Sequence, residues 1–227
     1  MASEMNRDGA GTATGRAGTS DALATGADGR PRCWWSLGTP EYIAYHDDEW
    51  GRPVTGDALL FERLCLEAFQ SGRSWLTILR KREAFRAAFA GFDVAAVAGF
   101  GPGDVERLLG DAGIVRNRAK IAAAINNAGR VLEVIAERGS LAAYLWSFRP
   151  LDPPAPRAVA DLRATSPESV ALARDLKNRG FRFLGPTTLY AHMQAAGQVN
   201  DHIVGCCVRD TVEIERGRAL RQLDRPG

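Results

Sequence analysis

From residue 57 onward, apolar side chains recur every three to four positions, the spacing of helices with one buried stripe. Asp57 can cap a helix that carries Leu59, Leu60, Leu64 and Phe69 and ends near Gly72. A second helix starts near Ser74 and carries Trp75, Ile78, Leu79, Phe85 and Phe89. Asp93 caps a short one through Val97, and Gly101-Pro102-Gly103-Asp104 opens another bearing Val105, Leu108 and Leu109. Residues 117 to 138 read as one long Ala-rich helix, with a short helix over 141 to 148 behind it. Leu151-Asp152-Pro153-Pro154-Ala155-Pro156 is an extended, polyproline-like connector. Ser166-Pro167-Glu168 puts proline at a first helical position, and Gly180 is a suitable terminator for that helix. The last clear helix covers 187 to 196 and stops at Gly197. No segment shows strand alternation, so the pattern predicts an all-α domain, in two helical lobes with a groove between them.

The two ends of the chain break this pattern. Residues 1–30 are rich in Gly, Ala, Thr, Ser and Asp, with Leu23 almost the only large aliphatic. Such a segment buries too little surface to offset its ordering entropy, which predicts a disordered tail. The charge-dense residues 210–227 predict a second, loose tail, leaving 31–209 as the folded domain. Composition adds little to this. Apolar residues make up 45% and charged residues 25% of the 227, ordinary values for a soluble globular protein of one or at most two domains. No run is long enough to span a bilayer, and the N-terminus lacks the apolar core of a secretory signal, so a cytoplasmic location is expected.

A formal charge of +2 does not by itself point to nucleic acid. The cations nevertheless cluster: Arg73 with Arg80, Lys81, Arg82 and Arg86; Arg116 with Arg118 and Lys120; Arg174 with Lys177, Arg179 and Arg182. Each cluster is a footprint for phosphate or, equally, a solvated helix face paired with acidic neighbours such as Glu83 and Asp175. Of the cysteines, Cys206 and Cys207 are adjacent and Cys65 lies in an apolar helical run, which argues for reduced thiols.

Four features could carry chemistry. Cys33, His46, His202 and Cys206 supply a Cys₂His₂ set that would close a tetrahedral zinc site, although spacing alone cannot bring the two pairs together. The stretch Gly110-Asp111-Ala112-Gly113-Ile114-Val115-Arg116-Asn117-Arg118-Ala119-Lys120 joins two helices. It has the form of a helix-hairpin-helix, a clamp on the DNA backbone, or of an ordinary helix–helix turn in which Gly113 permits the tight bend. Trp34, Trp35, Tyr42, Tyr45, Trp50 and Trp75 crowd one part of the chain, as core or as a stacking pocket for a flat base. Glu67 falls at the border between apolar and polar helix sectors, so it either pairs with Arg63 or lines that pocket.

Taken together, these residues resemble the type-I 3-methyladenine DNA glycosylases, members of the helix-hairpin-helix glycosylase superfamily. The resemblance spans Arg32 to Cys207. It rests on Arg32-Cys33, Tyr42-Ile-Ala-Tyr-His-Asp-Asp-Glu-Trp-Gly51, Leu66-Glu67, Ser74-Trp75, Asp111-Ala-Gly-Ile114 and Lys120. Further on it includes Trp146-Ser-Phe148, Arg179-Gly-Phe181, Val199-Asn-Asp-His202 and Gly205-Cys-Cys207. It implies one structural zinc ion on Cys33, His46, His202 and Cys206, with no redox or nucleotide cofactor. It also implies that Glu67 and Tyr45 hydrogen-bond an excised base, that Trp75 stacks on it, and that Tyr42, Trp50 and Trp35 complete the wall. The hairpin residues Gly113, Ile114, Arg116, Arg118 and Lys120, with Arg73, would face DNA. The implied reaction is hydrolysis of the N-glycosidic bond of 3-methyladenine in alkylated double-stranded DNA, by a monomer without an obligate partner and without a lyase step. The catalytic aspartate that follows the hairpin in most of the superfamily is lacking in this family. Arg73 departs from the pattern: the family has an apolar residue in that loop, which is expected to reach towards the gap left by an extruded nucleotide. The competing readings are a zinc-stabilised helical DNA-binding module without catalysis and a helical scaffold protein.

Overall fold

Helix α2 (Asp57–Gln70) is the axle of the fold, because it is buried along nearly its whole length from Leu60 to Gln70. The computed structural model describes residues 22–153 and 155–223. Around α2 lie α1 (Pro40–Asp48), α3 (Trp75–Ala88), α4 (Val94–Ala98), α5 (Pro102–Gly110), α6 (Arg118–Arg138), α7 (Leu141–Trp146), α8 (Pro167–Asn178), α9 (Pro186–Ala195) and α10 (Arg209–Leu223). One group, α3 to α6, packs around the phenylalanines of positions 61, 69, 85, 89 and 92, whose rings lie 4.8–6.2 Å apart. The other contains α8 and α9, with α9 laid against α2. The helices are stopped and started by side chains the sequence displays. Ser74, Asp93, Asn117, Ser140 and Ser166 each accept a backbone N–H of the first turn they cap.

Several expectations are corrected. Asp57 does not cap its own helix: Gly56 stands at that position, and the Asp57 carboxylate accepts the Ala142 N–H at 3.0 Å, at the start of α7. Helix α1 was hidden by its aromatic density, although Thr39 caps it by accepting the Tyr42 N–H and Pro40 opens it. Residues 22–30 are ordered rather than part of a tail. Leu23–Thr25 pairs antiparallel with Pro31–Cys33, a two-stranded ribbon (β1, β2) too short to show alternation. Residues 1–21, where the rest of that expected tail falls, lie outside the described residues. The C-terminal segment is no loose tail through residue 223, because α10 buries Val212, Arg216 and Ala219. Its arginine reads as solvent-facing in sequence, yet the Arg216 guanidinium donates to the carbonyls of Gly197 and Gln198 at 2.7 and 2.9 Å.

Candidate active site and metal centre

Cys33 ends β2, His46 lies in the last turn of α1, and His202 and Cys206 follow α9, so the quartet joins chain segments some 160 residues apart. All four side chains are buried, and their ligand atoms lie within 4.8 Å of one another. His46 Nε2 and His202 Nδ1 are 3.2 Å apart, and Cys206 Sγ is 3.4 and 3.6 Å from them. Cys33 Sγ is 3.8 Å from His202 Nδ1. Tetrahedral bonds of zinc length require separations of about 3.3 Å between two nitrogens and about 3.6 Å between sulfur and nitrogen. The donor set and its spacing therefore fit a four-coordinate metal ion.

The remaining ring nitrogens choose the tautomers. His46 Nδ1 donates to Asp47 Oδ1 at 2.7 Å and His202 Nε2 donates to the Trp50 carbonyl at 3.0 Å, which leaves His46 Nε2 and His202 Nδ1 as bare donors towards the centre. Asp47 is gripped by Arg32 through bonds of 2.8–3.1 Å. Burial alone would raise its carboxyl, but Arg32 and His46 hold it below the usual range. Gly51, in the left-handed region at φ 79°, admits His202: a Cβ there would stand 3.0 Å from the imidazole Nε2.

On the other side of α1, one residue before His46, Tyr45 faces an aromatic chamber. Its ring lies 5.4 Å from that of Trp75, inclined by 50°. Trp35 stands edge-on to Tyr42 at 6.0 Å and to Trp50 at 5.1 Å, and Trp50 in turn stands edge-on to His202 at 4.7 Å. Trp35 and Trp50 are thus the partition between metal centre and chamber. Tyr42 accepts the Leu76 N–H at 3.1 Å through its hydroxyl, which seats the first turn of α3 and with it Trp75. Glu67 is 1% exposed, so the border position on α2 resolves inward. Burial first, and then the charge on Glu67, raise the Tyr45 phenol above its ordinary value, a direct sign of their proximity. The Tyr45 hydroxyl and the indole N–H groups of Trp50 and Trp75 are buried without a hydrogen-bond partner among the described residues. Buried polar atoms left in that condition are expected where a ligand supplies the partner.

The proposed DNA-facing residues divide. Arg116 and Arg118 are exposed, the latter paired with Glu106 at 3.0 Å, and Arg73 is exposed on a turn between α2 and α3. Lys120 does not face outward. It is 8% exposed, and its ammonium donates to the carbonyls of Phe69 and Ser71 at 3.0 and 2.7 Å, closing the end of α2. Ile114 is a core residue. Gly113 is required for closeness rather than for an unusual turn: it lacks a positive φ, and a Cβ would meet the Ala84 Cβ at 2.9 Å. The first basic cluster is mostly spoken for, since Arg80, Arg82 and Arg86 pair with Glu41, Glu49 and Glu62, and Lys81 donates to the Ala112 carbonyl. Sequence reasoning missed Asp47 and Arg32 as supports of the metal centre. The adjacency of Asp47 to His46 was the available signal.

Comparison with known proteins agrees with this geometry. The family model described as methyladenine glycosylase matches residues 34–210. DNA-3-methyladenine glycosylase 1 of Escherichia coli (strain K12) is 47% identical over 178 residues, covering 78% of this chain and 95% of that protein. A crystal structure of 3-methyladenine DNA glycosylase I is also 47% identical and superposes with a TM-score of 0.73, over 78% of this chain and 98% of the other. The Staphylococcus aureus enzyme, solved for the structural basis of its 3-methyladenine recognition, is 36% identical with a TM-score of 0.73, over 77% and 95% of the two chains. With the match reaching from the 3₁₀ turn after Cys33 to the first turn of α10, and taking in the chamber with His46, His202 and Cys206, this chain belongs to the methyladenine glycosylase family.

Proposed function

We propose that this protein is a monofunctional DNA glycosylase that releases 3-methyladenine from alkylated duplex DNA. The observation that supports it most is the buried carboxylate of Glu67 near Tyr45, whose ring in turn packs on Trp75. Methylation at N3 makes the adenine cationic, so the glycosidic bond is already weak and the base departs neutral as water adds to the sugar. The site must then select the base and hold it outside the helix. Electron-rich rings favour a cationic base over a neutral one by about 0.5–2 kcal/mol per contact. Glu67 adds charge attraction and accepts hydrogen bonds from the base edge, and the Tyr45 hydroxyl supplies a further partner. Because stabilising a cationic ground state does not by itself accelerate bond cleavage, Glu67 acts in recognition and orientation, and in support of the positive sugar as it forms. Tyr42, Trp35 and Trp50 keep the chamber rigid, while Arg73, Arg116 and Arg118 are placed to meet phosphate.

In this reading the quartet holds one zinc ion. Four protein donors leave no position for water, so bound zinc supplies constraint and not chemistry. It fastens α1, and therefore Tyr45, to the C-terminal segment. The enzyme works as a monomer in the cytoplasm; among the described residues no helix is long and apolar enough to cross a membrane. The test is incubation of the zinc-loaded protein with N3-methylated duplex, with released base read by chromatography and borohydride added to trap any Schiff base. Release without a trapped adduct is expected. Folded, metal-loaded protein that binds the duplex but frees no base would leave a non-catalytic DNA-binding module instead.

A further inference from the structure

Two phenylalanines occupy the left-handed region of backbone space, Phe92 at φ 57° and Phe183 at φ 59°. A bulky L-residue rarely adopts that conformation, because its Cβ crowds the backbone. Phe92 is compensated. It is fully buried, and its ring stacks on that of Phe89 at 5.5 Å and 2°. Phe183 is not: it is 47% exposed, and no aromatic ring stacks on it among the described residues. Strain that no packing offsets belongs, as a rule, to a place with a task.

The conformation is imposed on the loop from α6. Asn127, itself buried, donates through its amide nitrogen to the Arg182 carbonyl at 2.9 Å and accepts the Arg182 N–H at 2.9 Å. Asn126 donates to the Gly180 carbonyl at 2.9 Å. Phe181 and Leu184 are buried on either side, so the loop is pinned at both ends and turns Arg182 and Phe183 outward.

The same face of α6 holds the other exposed loop. Lys120, which fastens the turn leading to Arg73, precedes Asn127 by seven residues. Seven residues are close to two helical turns, so the two side chains share a stripe with about 10 Å between them along the axis. One helix, α6, thus anchors both the turn that leads to Arg73 and the loop that presents Phe183. Exposed Arg182 adds a cation beside the ring.

We propose that Phe183 is a DNA-stacking residue of this enzyme: its ring packs on a base face laid open in the duplex when the damaged nucleotide is extruded. This deepens the glycosylase reading and rests on it. Extrusion unstacks the bases at the lesion, and an exposed aromatic ring is a sequence-tolerant partner for such a face. A preset loop spares the ordering cost at the moment of binding.

The test uses Phe183→Ala, Phe183→Gly and Phe183→Trp in the full, zinc-loaded chain. Affinity for a duplex bearing a stable abasic-site analogue is measured by fluorescence anisotropy, free 3-methyladenine binding by tryptophan fluorescence, and Tm by calorimetry. Phe183→Ala should weaken duplex binding about tenfold, the usual effect of removing one stacking ring, and leave free-base binding unchanged. Phe183→Gly should show the same loss of duplex affinity with an equal or higher Tm, since glycine accepts a positive φ without strain. Phe183→Trp should restore binding. Duplex affinity within about twofold of the parent for both truncations would overturn the proposal, as would an equal loss of free-base binding. A parent protein that binds duplex through Phe183 yet frees no base would defeat the glycosylase reading and spare this one. An active enzyme indifferent to Phe183 would do the reverse.

Discussion

Tyr45 and His46 are consecutive, yet they enter two regions with opposite polar economies. Around His46 the polar atoms are fixed by neighbours: one ring nitrogen bonds Asp47, Arg32 locks Asp47, and the other nitrogen converges with two thiols and a second imidazole on one point. Around Tyr45 two polar groups are buried with nothing to bond among the described residues, its own hydroxyl and the indole N–H of Trp75. Four donors converging on one point suit a single ion held for structure. A set left in want of partners costs stability in the free protein, and the ligand that supplies those partners recovers it on binding. The two kinds of buried polarity can therefore be told apart by whether the unsatisfied atoms converge on one point, as in the quartet, or lie scattered among aromatic rings, as around Tyr45.

The contrast can be broken most severely at the metal centre. Cys206→Ser, or chelation of the native protein, should lower Tm by more than about 10 °C and loosen base binding with it. Calorimetry alongside metal content would check this, and an unchanged Tm would mean the quartet is no clip. In the chamber the expected signs of stability and function diverge. Glu67→Gln should cut single-turnover excision roughly 10- to 100-fold, the worth of a hydrogen bond to a charged group. Near-full excision by this variant would remove Glu67 from any essential role. Tyr45→Phe should weaken free-base binding about fivefold and stabilise the protein by about 1 kcal/mol, read by fluorescence titration and urea denaturation; a stability loss would mean the hydroxyl is bonded after all.

His192 sharpens the comparison from outside both regions. It is fully buried on α9 with neither ring nitrogen bonded among the described residues, and burial, reinforced by the charge on Arg63, lowers its pKa from 6.5 to about 3. Between those values the unfolded chain takes up a proton that the folded one refuses. Its neutral form thus imposes no penalty above pH 6.5, and stability falls as pH drops from 6.5 towards 3, by at most about 1.4 kcal/mol per pH unit. His192→Phe should flatten that part of the pH dependence and leave excision at neutral pH unaltered. Urea midpoints at pH 5 and pH 7.5 would show it, and an undiminished slope would assign the titration elsewhere.

Much of the helical plan was legible because its signals are local. Ser74, Asp93, Asn117 and Ser166 announce helix starts within a few residues of the N–H groups they cap. The ordered string from Tyr42 to Gly51, with Glu67, Trp75 and the C-terminal His202 and Cys206, also pointed to the family and to the chamber. What was misread depended on distant partners. Lys120 looks like a phosphate-binding cation until Phe69 and Ser71 present their carbonyls to it from another helix. Asp57 looks like the cap of its own helix, and instead accepts the N–H of Ala142, 85 residues later, in the first turn of α7. The C-terminal charges look solvated until Gly197 and Gln198 bury Arg216.

Local backbone preference and the three-to-four-residue apolar rhythm are carried by neighbours in the chain, so the residue order alone determined most helices between residues 57 and 196 and which residue types were on hand for chemistry. Whether Glu67 points inward, whether two cysteines and two histidines converge, and which arginines stay exposed were decided only by packing. Desolvation and hydrogen-bond partners arrive from remote segments, and no spacing rule reports them.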